Sequence, residues 1–304
     1  MSLQEPTNCA RFGPVSVYFG EKSGKYPDGN QVVVRGTDAK AVFDTPQVAQ
    51  RIPQVLAEAD MAILGHVHED HMAGLQRMPG KPVWVHEADL DAARSWQGLS
   101  RHYGYPQPIL DALRLKIEHD FDYAPRPDAV PYADGAVWEL GGTRVRAVHL
   151  PGHTAGHCVL LVEPQGVAFI GDFDLSSFGP YYGDATSSLR DFRRSLARLA
   201  ALPASVWVTS HHKGVITDRA TFDTLLQAFA GRIDEREARL LQLLQTGPQT
   251  LPELVRQRVV YPPEATDLWV DCAEQNSIAR HLQELQDDGR VRCIDGGRYM
   301  LAGH

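Results

Sequence analysis

Residues 66–71 read His66-Val67-His68-Glu69-Asp70-His71. Imidazole nitrogen and carboxylate oxygen suit zinc, iron or manganese when several such groups converge. His66 and His68 stand two positions apart, so an extended or looping backbone can aim both at one point. Asp70 and His71 follow at once and can serve a neighbouring point. An isolated His-x-His pair is more often a surface or core feature. The full run is more specific, because it follows directly on the apolar stretch Met61-Ala62-Ile63-Leu64. A buried strand that empties into such a run predicts a metal site.

The elements that would carry this run are short. Stretches 15–19, 31–35 and 41–44 are β-branched or aromatic and are separated by Gly, Asp and Pro clusters, which predicts strands. Apolar spacing predicts a helix over 46–58. A strand is expected at 82–86, a helix at 87–96, and a partly helical insert at 97–135. Two strands should flank the Gly141-Gly142 turn within 137–150. Strands at 158–163 and 166–170 follow the Pro151–His157 loop, and the second closes on Gly171-Asp172. A helix at 189–202 and a strand at 206–209 lead to His211-His212. Strands and helices that alternate, with polar clusters at strand ends, argue for a layered α/β protein. No internal repeat is evident.

The texture changes near residue 230. Helices are expected at 232–244 and 273–285, and Thr250 with Glu253 has the form of a capping box. Segments 291–294 and 298–301 flank Asp295-Gly296-Gly297, a hairpin signal. Residues 1–230 therefore read as a catalytic domain and 231–304 as a small winged-helix-like domain.

The chain has 304 residues, 38 acidic against 30 basic, giving a net charge of −8. Its 43 % hydrophobic content is that of a protein with a sizeable core. No apolar run approaches the roughly 18 residues that span a bilayer. Residues 1–13 have no basic segment leading into an apolar one, so no secretory signal is expected. Cys9, Cys158, Cys272 and Cys293 form neither a CxxC pair nor a disulfide framework, and are expected as reduced thiols in a cytoplasmic protein. These features exclude a membrane protein, a disulfide-stapled mini-protein and a basic nucleic-acid coat.

The motif His66-x-His68-x-Asp70-His71 resembles the signature of the metallo-β-lactamase superfamily of hydrolases. Pro151-Gly152-His153-Thr154-Ala155-Gly156-His157 looks like that family's third-histidine loop, Gly171-Asp172 like its bridging aspartate, and Ser210-His211 like its last histidine. Asp44, in Val42-Phe43-Asp44-Thr45, is similar to an early strand-end aspartate that supports the ligand loop. The resemblance spans about residues 14–230. It implies a four-layer αββα sandwich with the site at the common edge of the sheets. It also implies two zinc ions per chain, with iron or manganese as alternatives. His66, His68 and His153 would hold one, Asp70, His71 and His211 the other, and Asp172 would bridge. The implied reaction is hydrolysis by a metal-bound hydroxide, with Asp70 also orienting the nucleophile or accepting its proton.

Gly65 and Pro46 depart from residues often seen in the family, though neither removes a ligand. His211 and His212 compete for the last position. Counting from the 206–209 strand favours His211, and counting back from Gly214-Val215-Ile216 favours His212; the place nearer the strand end makes His211 the preferred one. His157 is expected to support the His153 loop, and His86 to be structural. Asp174 is expected either to hold a ligand histidine or to cap its turn. Phe178, Tyr181 and Tyr182 are read as aromatic packing, with lining of the substrate mouth as the alternative.

The tail resembles the winged-helix segment in a branch of the superfamily that includes mitochondrial β-lactamase-like endoribonucleases. The match rests on Arg236, Leu240 and Leu241, on Asn276, Arg280, His281, Leu282 and Leu285, and on Gly289-Arg290-Val291. Residues 232–304 hold nine basic and twelve acidic side chains, a net −3. Binding to a phosphate backbone draws on clustered cations, so a nucleic-acid partner is disfavoured. A roof over the site or a homodimer contact is the preferred use of the tail. A small ester, thioester or lactone is the expected substrate. The alternatives are a metal-dependent endoribonuclease and a mononuclear iron oxidoreductase of sulfur compounds.

Overall fold

The computed structural model describes residues 8–303, so the first seven residues of the 1–13 stretch lie outside the described residues. Seven strands form one sheet in chain order: β1 (Cys9–Phe12), β2 (Val15–Tyr18), β3 (Gln31–Arg35), β4 (Lys40–Phe43), β5 (Met61–Ile63), β6 (Val83–His86) and β7 (Val130–Tyr132). The first four pair antiparallel, while β4 to β7 run parallel. A second sheet holds β8 (Val137–Glu139), β9 (Arg144–His149), β10 (Cys158–Glu163), β11 (Val167–Phe169), β12 (Val206–Val208) and β13 (Val215–Ile216), in the order β13-β12-β11-β10-β9-β8.

Side-chain alternation along these strands builds the layers. Val32, Val34, Ala41 and Phe43 of the first sheet face Val145, Ala147, Leu160 and Val162 of the second, and together they form the central core. Their neighbours Val33, Val42 and Ala62 turn the other way. There they meet α1 (Gln47–Arg51), α2 (Pro53–Glu58), α3 (Leu90–Arg94), α4 (Trp96–Tyr103) and α5 (Gln107–Asp120). Val159, Leu161, Ala168 and Trp207 leave the second sheet toward α6 (Leu189–Ala200) and α7 (Arg219–Leu244). The result is the αββα sandwich. Each fully buried Val, Leu or Phe is worth about 1.5–3 kcal/mol over exposure, so the two-sided burial of the sheets fixes the strand ends that carry the site.

Three expectations change in detail. The helix expected over 46–58 is two helices, because Pro53 brings no backbone N–H and Ile52 adopts φ −127°, ψ 54° between them. The helix expected over 87–96 breaks at Ser95, whose extended backbone and side chain cap α4 through Gly98 N. The strand β1 was not expected. The insert at 97–135 holds most of α4, all of α5, and β7.

One continuous helix, α7, crosses residue 230 and leads into β14 (Gln249–Thr250), α8 (Leu251–Arg256), α9 (Val270–Asp287), β15 (Val291–Ile294) and β16 (Arg298–Leu301). The capping box forms in both directions, with Thr250 N donating to Glu253 Oε2 at 2.7 Å. Leu240, Leu254, Ile278, Leu282 and Leu285 pack a separate small core. All four cysteines are free thiols. Among the described residues no helix is long and apolar enough to cross a membrane.

Candidate metal centre

Four strand ends deliver the candidate donors. His66, His68, Asp70 and His71 follow β5, with residues 69–71 in a single tight turn. His153 lies in the β9–β10 connection, Asp172 after β11, and His211 after β12. Gly171 takes φ +56°, and a Cβ there would come within 2.6 Å of His157 Nε2. Only glycine lets the chain turn Asp172 inward at that point.

The structure brings all seven residues into two adjoining groups that could hold metal ions, His66–His68–His153–Asp172 and Asp70–His71–His211. In the first, His68 Nδ1 lies 3.2 Å from His66 Nε2 and 3.1 Å from His153 Nε2. In the second, Asp70 Oδ2 lies 2.9 Å from His211 Nε2 and 3.5 Å from His71 Nε2. Asp172 faces both. Its Oδ2 is 3.3 Å from His153 Nε2, and its Oδ1 is 3.2 Å from His71 Nε2.

The far side of each ring shows which nitrogen is free. His71 Nδ1 donates to Asp44 Oδ2 at 2.7 Å, His68 Nε2 to Asp184 Oδ2 at 2.8 Å, His153 Nδ1 to Tyr181 O at 3.1 Å, and His211 Nδ1 to Gly24 O at 2.8 Å. Four outer acceptors therefore leave four lone-pair nitrogens facing one another and two carboxylates. This is how proteins orient imidazole ligands. His71 Nε2, His211 Nε2 and Asp172 Oδ1 are buried with no aligned hydrogen bond, despite the 2.9 Å approach of Asp70 to His211. Buried polar atoms seldom stay unsatisfied, and divalent cations fit this donor set.

Without a cation the charge balance settles on protons. Burial opposes a charged His68, but the hydrogen bond and charge of Asp184 overcome it and raise the imidazole to about 9. Burial likewise opposes a charged His211, and Asp172 with Asp70 lifts it to about 9. Groups raised in this way are protonated at pH 7 and must lose that proton to bind metal. Zinc binding at pH 7 is therefore expected to release protons, with the release shrinking as pH approaches 10 and apparent affinity rising over the same range. Calorimetry in buffers of different ionisation enthalpy measures this directly; binding without proton release would show that the histidines are already neutral.

Asp44, with φ +51°, also accepts from Gly65 N at 2.7 Å, so it holds both the strand end and the His71 ring. His212 lines the same cavity but belongs to neither donor group and lies 3.5 Å from Asp174 Oδ2. Asp174 accepts from Ser176 N within its own turn, and burial pushes its carboxyl up to about 6. His157 supports the loop of His153, its carbonyl accepting from Leu150 N at 2.9 Å, and also the aspartate turn, its Nε2 accepting from Asp172 N at 3.2 Å. His86 stacks on His149 at 4.1 Å and takes no part in the cluster. Tyr181 and Phe178 line the cavity over the donors, whereas Tyr182 is buried against His281 and Arg236.

Two supporting carboxylates escaped the sequence argument. Asp184 lies 116 positions from His68 and shares no spacing with it. Its Oδ1 accepts from Tyr105 and Tyr181, and despite burial His68, with smaller help from His102 and Tyr105, holds its carboxyl down at about 2. Asp89 ties the His153 loop in place through Thr154 Oγ1 and Gly156 N. The tail motif proves structural in a specific way. Arg236 donates to Phe178 O and Pro180 O, Asn276 to Gly183 O, and Arg280 to Ser187 O and Asp184 O. These residues hold the loop that carries Tyr181 and Asp184.

The family model described as "Metallo-beta-lactamase superfamily" matches residues 27–211, a span that contains every one of the seven donors. The chain belongs to the metallo-beta-lactamase superfamily. Among its relatives, the beta-lactamase-like protein 2 homolog of Drosophila melanogaster is 25 % identical over 82 % of this chain and 77 % of its own. The acyl-coenzyme A thioesterase MBLAC2 of Homo sapiens is 28 % identical over 48 % of this chain and 60 % of its own. A metallo-beta-lactamase family protein of Thermus thermophilus has a solved structure with TM-score 0.65 and 28 % identity, covering 90 % of this chain and 93 % of that one. The superfamily fold thus accounts for the four strand-end loops and their convergence.

Proposed function

We propose that the protein is a metal-dependent hydrolase that cleaves a small ester, thioester or lactone with two zinc ions bound per chain. The observation that carries this reading is the placement of Asp172, whose two oxygens face two separate donor groups. A pair of divalent cations held there would polarise a carbonyl and supply an activated water at neutral pH. His66, His68 and His153 would hold one cation, and Asp70, His71 and His211 the other.

The remaining steps fall to the chain itself. Asp44, Asp184, Gly24 O and Tyr181 O keep the four rings in the tautomer that presents a lone pair inward. Asp70 lines the cavity and is placed to orient the attacking group or take its proton. Tyr181 and Tyr105, both donating to Asp184, fix one wall beside the reacting carbonyl. The relative that acts on acyl-coenzyme A makes thioesters the first class to assay.

RNA is disfavoured, because among the described residues no lysine or arginine lines the cavity. A mononuclear site would leave Asp70, His71 and His211 gathered without use. The test is a panel of short thioesters, esters and lactones with the zinc-loaded protein, beside single-stranded RNA at low salt. Turnover of at least one acyl substrate, abolished by chelation and restored by zinc, is expected. Cleavage of RNA alone, or no turnover at all, would overturn the proposal.

A further inference from the structure

The cavity above the donors measures about 310 Å³, and its outer wall has a chemistry that hydrolysis alone does not require. Four separate segments build that wall: Tyr26 before β3, Glu69 in the turn after β5, Tyr103 at the end of α4, and Asp267 with Trp269 in the turn that opens α9. Glu69 is held by two phenols, with Tyr26 Oη donating to Oε1 at 3.1 Å and Tyr103 Oη donating to Oε2. Tyr26 and Trp269 stand nearly perpendicular, with centroids 6.3 Å apart at 76°, as two adjoining sides of a box.

The charged side chains of this outer wall, Glu69 and Asp267, are both acidic. Among the described residues, no lysine or arginine lines the cavity. Arg280 lies behind it and is committed to the carbonyls of Asp184, Ser187 and Asn276. Lys25 and Lys213 act on His212 without lining the cavity. An anionic leaving group such as a phosphate would meet Glu69 and Asp267 with no lysine or arginine of the cavity lining to pair with. A cation against aromatic faces and carboxylates is the complementary case.

Resting on the hydrolase reading, we propose that this outer half is a subsite for an ammonium group of the substrate, bounded by Glu69, Asp267, Tyr26 and Trp269. The scissile carbonyl then points inward, toward Asp70 and Asp172. The tail thereby takes part in specificity, since Asp267 and Trp269 belong to it.

The test uses three thioesters of one acyl group with the zinc-loaded full chain. They are S-butyrylthiocholine, its neutral carbon isostere S-(3,3-dimethylbutyl) thiobutyrate, and the anionic S-butyryl-3-mercaptopropionate. The expected order in kcat/KM is cationic over neutral by about 10-fold, with the anion slowest. Asp267→Asn and Trp269→Leu should each lower the cationic-to-neutral ratio, which cancels any loss common to both esters. Calorimetry should detect choline binding and none of 3,3-dimethyl-1-butanol. Equal rates for cation and isostere, or a preference for the anion, would overturn the subsite while the hydrolase reading stands. Choline binding without turnover of any ester would keep the subsite and remove the hydrolase reading. Neither binding nor turnover would remove both.

Discussion

Asp172→Ala is expected to release metal from both donor groups at once and to lower kcat/KM by about 10⁴-fold, the scale on which losing one member of a cooperating catalytic unit acts. The reason is geometric. Oδ1 and Oδ2 are the points at which the His66–His68–His153 group and the Asp70–His71–His211 group meet, and each oxygen lies 3.2–3.3 Å from a histidine nitrogen of a different group. Removing the carboxylate leaves several imidazoles crowded around a hole of reduced negative charge, so cation binding weakens on both sides. The fold should survive, because the backbone of the turn is held separately by His157 and by the pairing of Ser210 N with Gly171 O at 3.0 Å. Metal content of the dialysed variant, with circular dichroism as the folding control, checks this. Full metal retention would mean that Asp172 does not join the two groups.

A second large effect is expected at Asp184, a residue outside the two donor groups that Asp172 faces. Asp184→Ala should weaken metal binding by about 10–100-fold, as loss of a carboxylate behind an imidazole ligand does. With Asp184 gone, His68 loses the acceptor that fixes its Nε2–H, and the phenols of Tyr105 and Tyr181 lose theirs. The His68 ring is then free to turn its lone pair away from His66 and His153. Asp184→Asn should recover much of the affinity, since an amide oxygen can still accept from His68. It should also lower the His68 pKa from its value near 9, because the neighbouring negative charge is lost. Proton titration of the metal-free variants by NMR and competition for zinc against a chelator separate orientation from charge. An Asp184→Ala protein with unaltered zinc affinity would show that packing alone orients His68.

The seven candidate donors can be picked out in the sequence because each stands at a strand end, where local spacing and turn residues mark it. His66 to His71 announce themselves within six positions, and Gly171 marks the turn before Asp172. The structure favours His211 over His212, since His211 Nε2 lies beside Asp70 and Asp172 whereas His212, at φ +63°, lies against Asp174. The supporting shell was much less visible. Asp184 and Asp89 act across 116 and 65 positions on loops they do not adjoin, and no local pattern encodes such a contact. Tyr26 likewise meets Asp267 and Trp269 only because two segments more than 200 positions apart close over one edge. The helix breaks at Ile52-Pro53 and Ser95 are local, set by a proline that lacks an N–H and by a serine that caps the next helix.

The polar residues of the tail carry a related lesson. Arg236, Asn276 and Arg280 read as core and turn positions, and they are structural. What they anchor is the 178–187 loop, so the tail reaches the centre through Tyr181 and Asp184 rather than through any donor of its own.

The most direct test of the proposed two-cation centre is elemental analysis of protein purified without chelator and without a histidine tag, repeated after stripping and reconstitution with zinc. Close to two zinc ions per chain, both lost from Asp172→Ala, is the predicted result. A single retained ion that survives in Asp172→Ala, or no retention after reconstitution, would contradict the account.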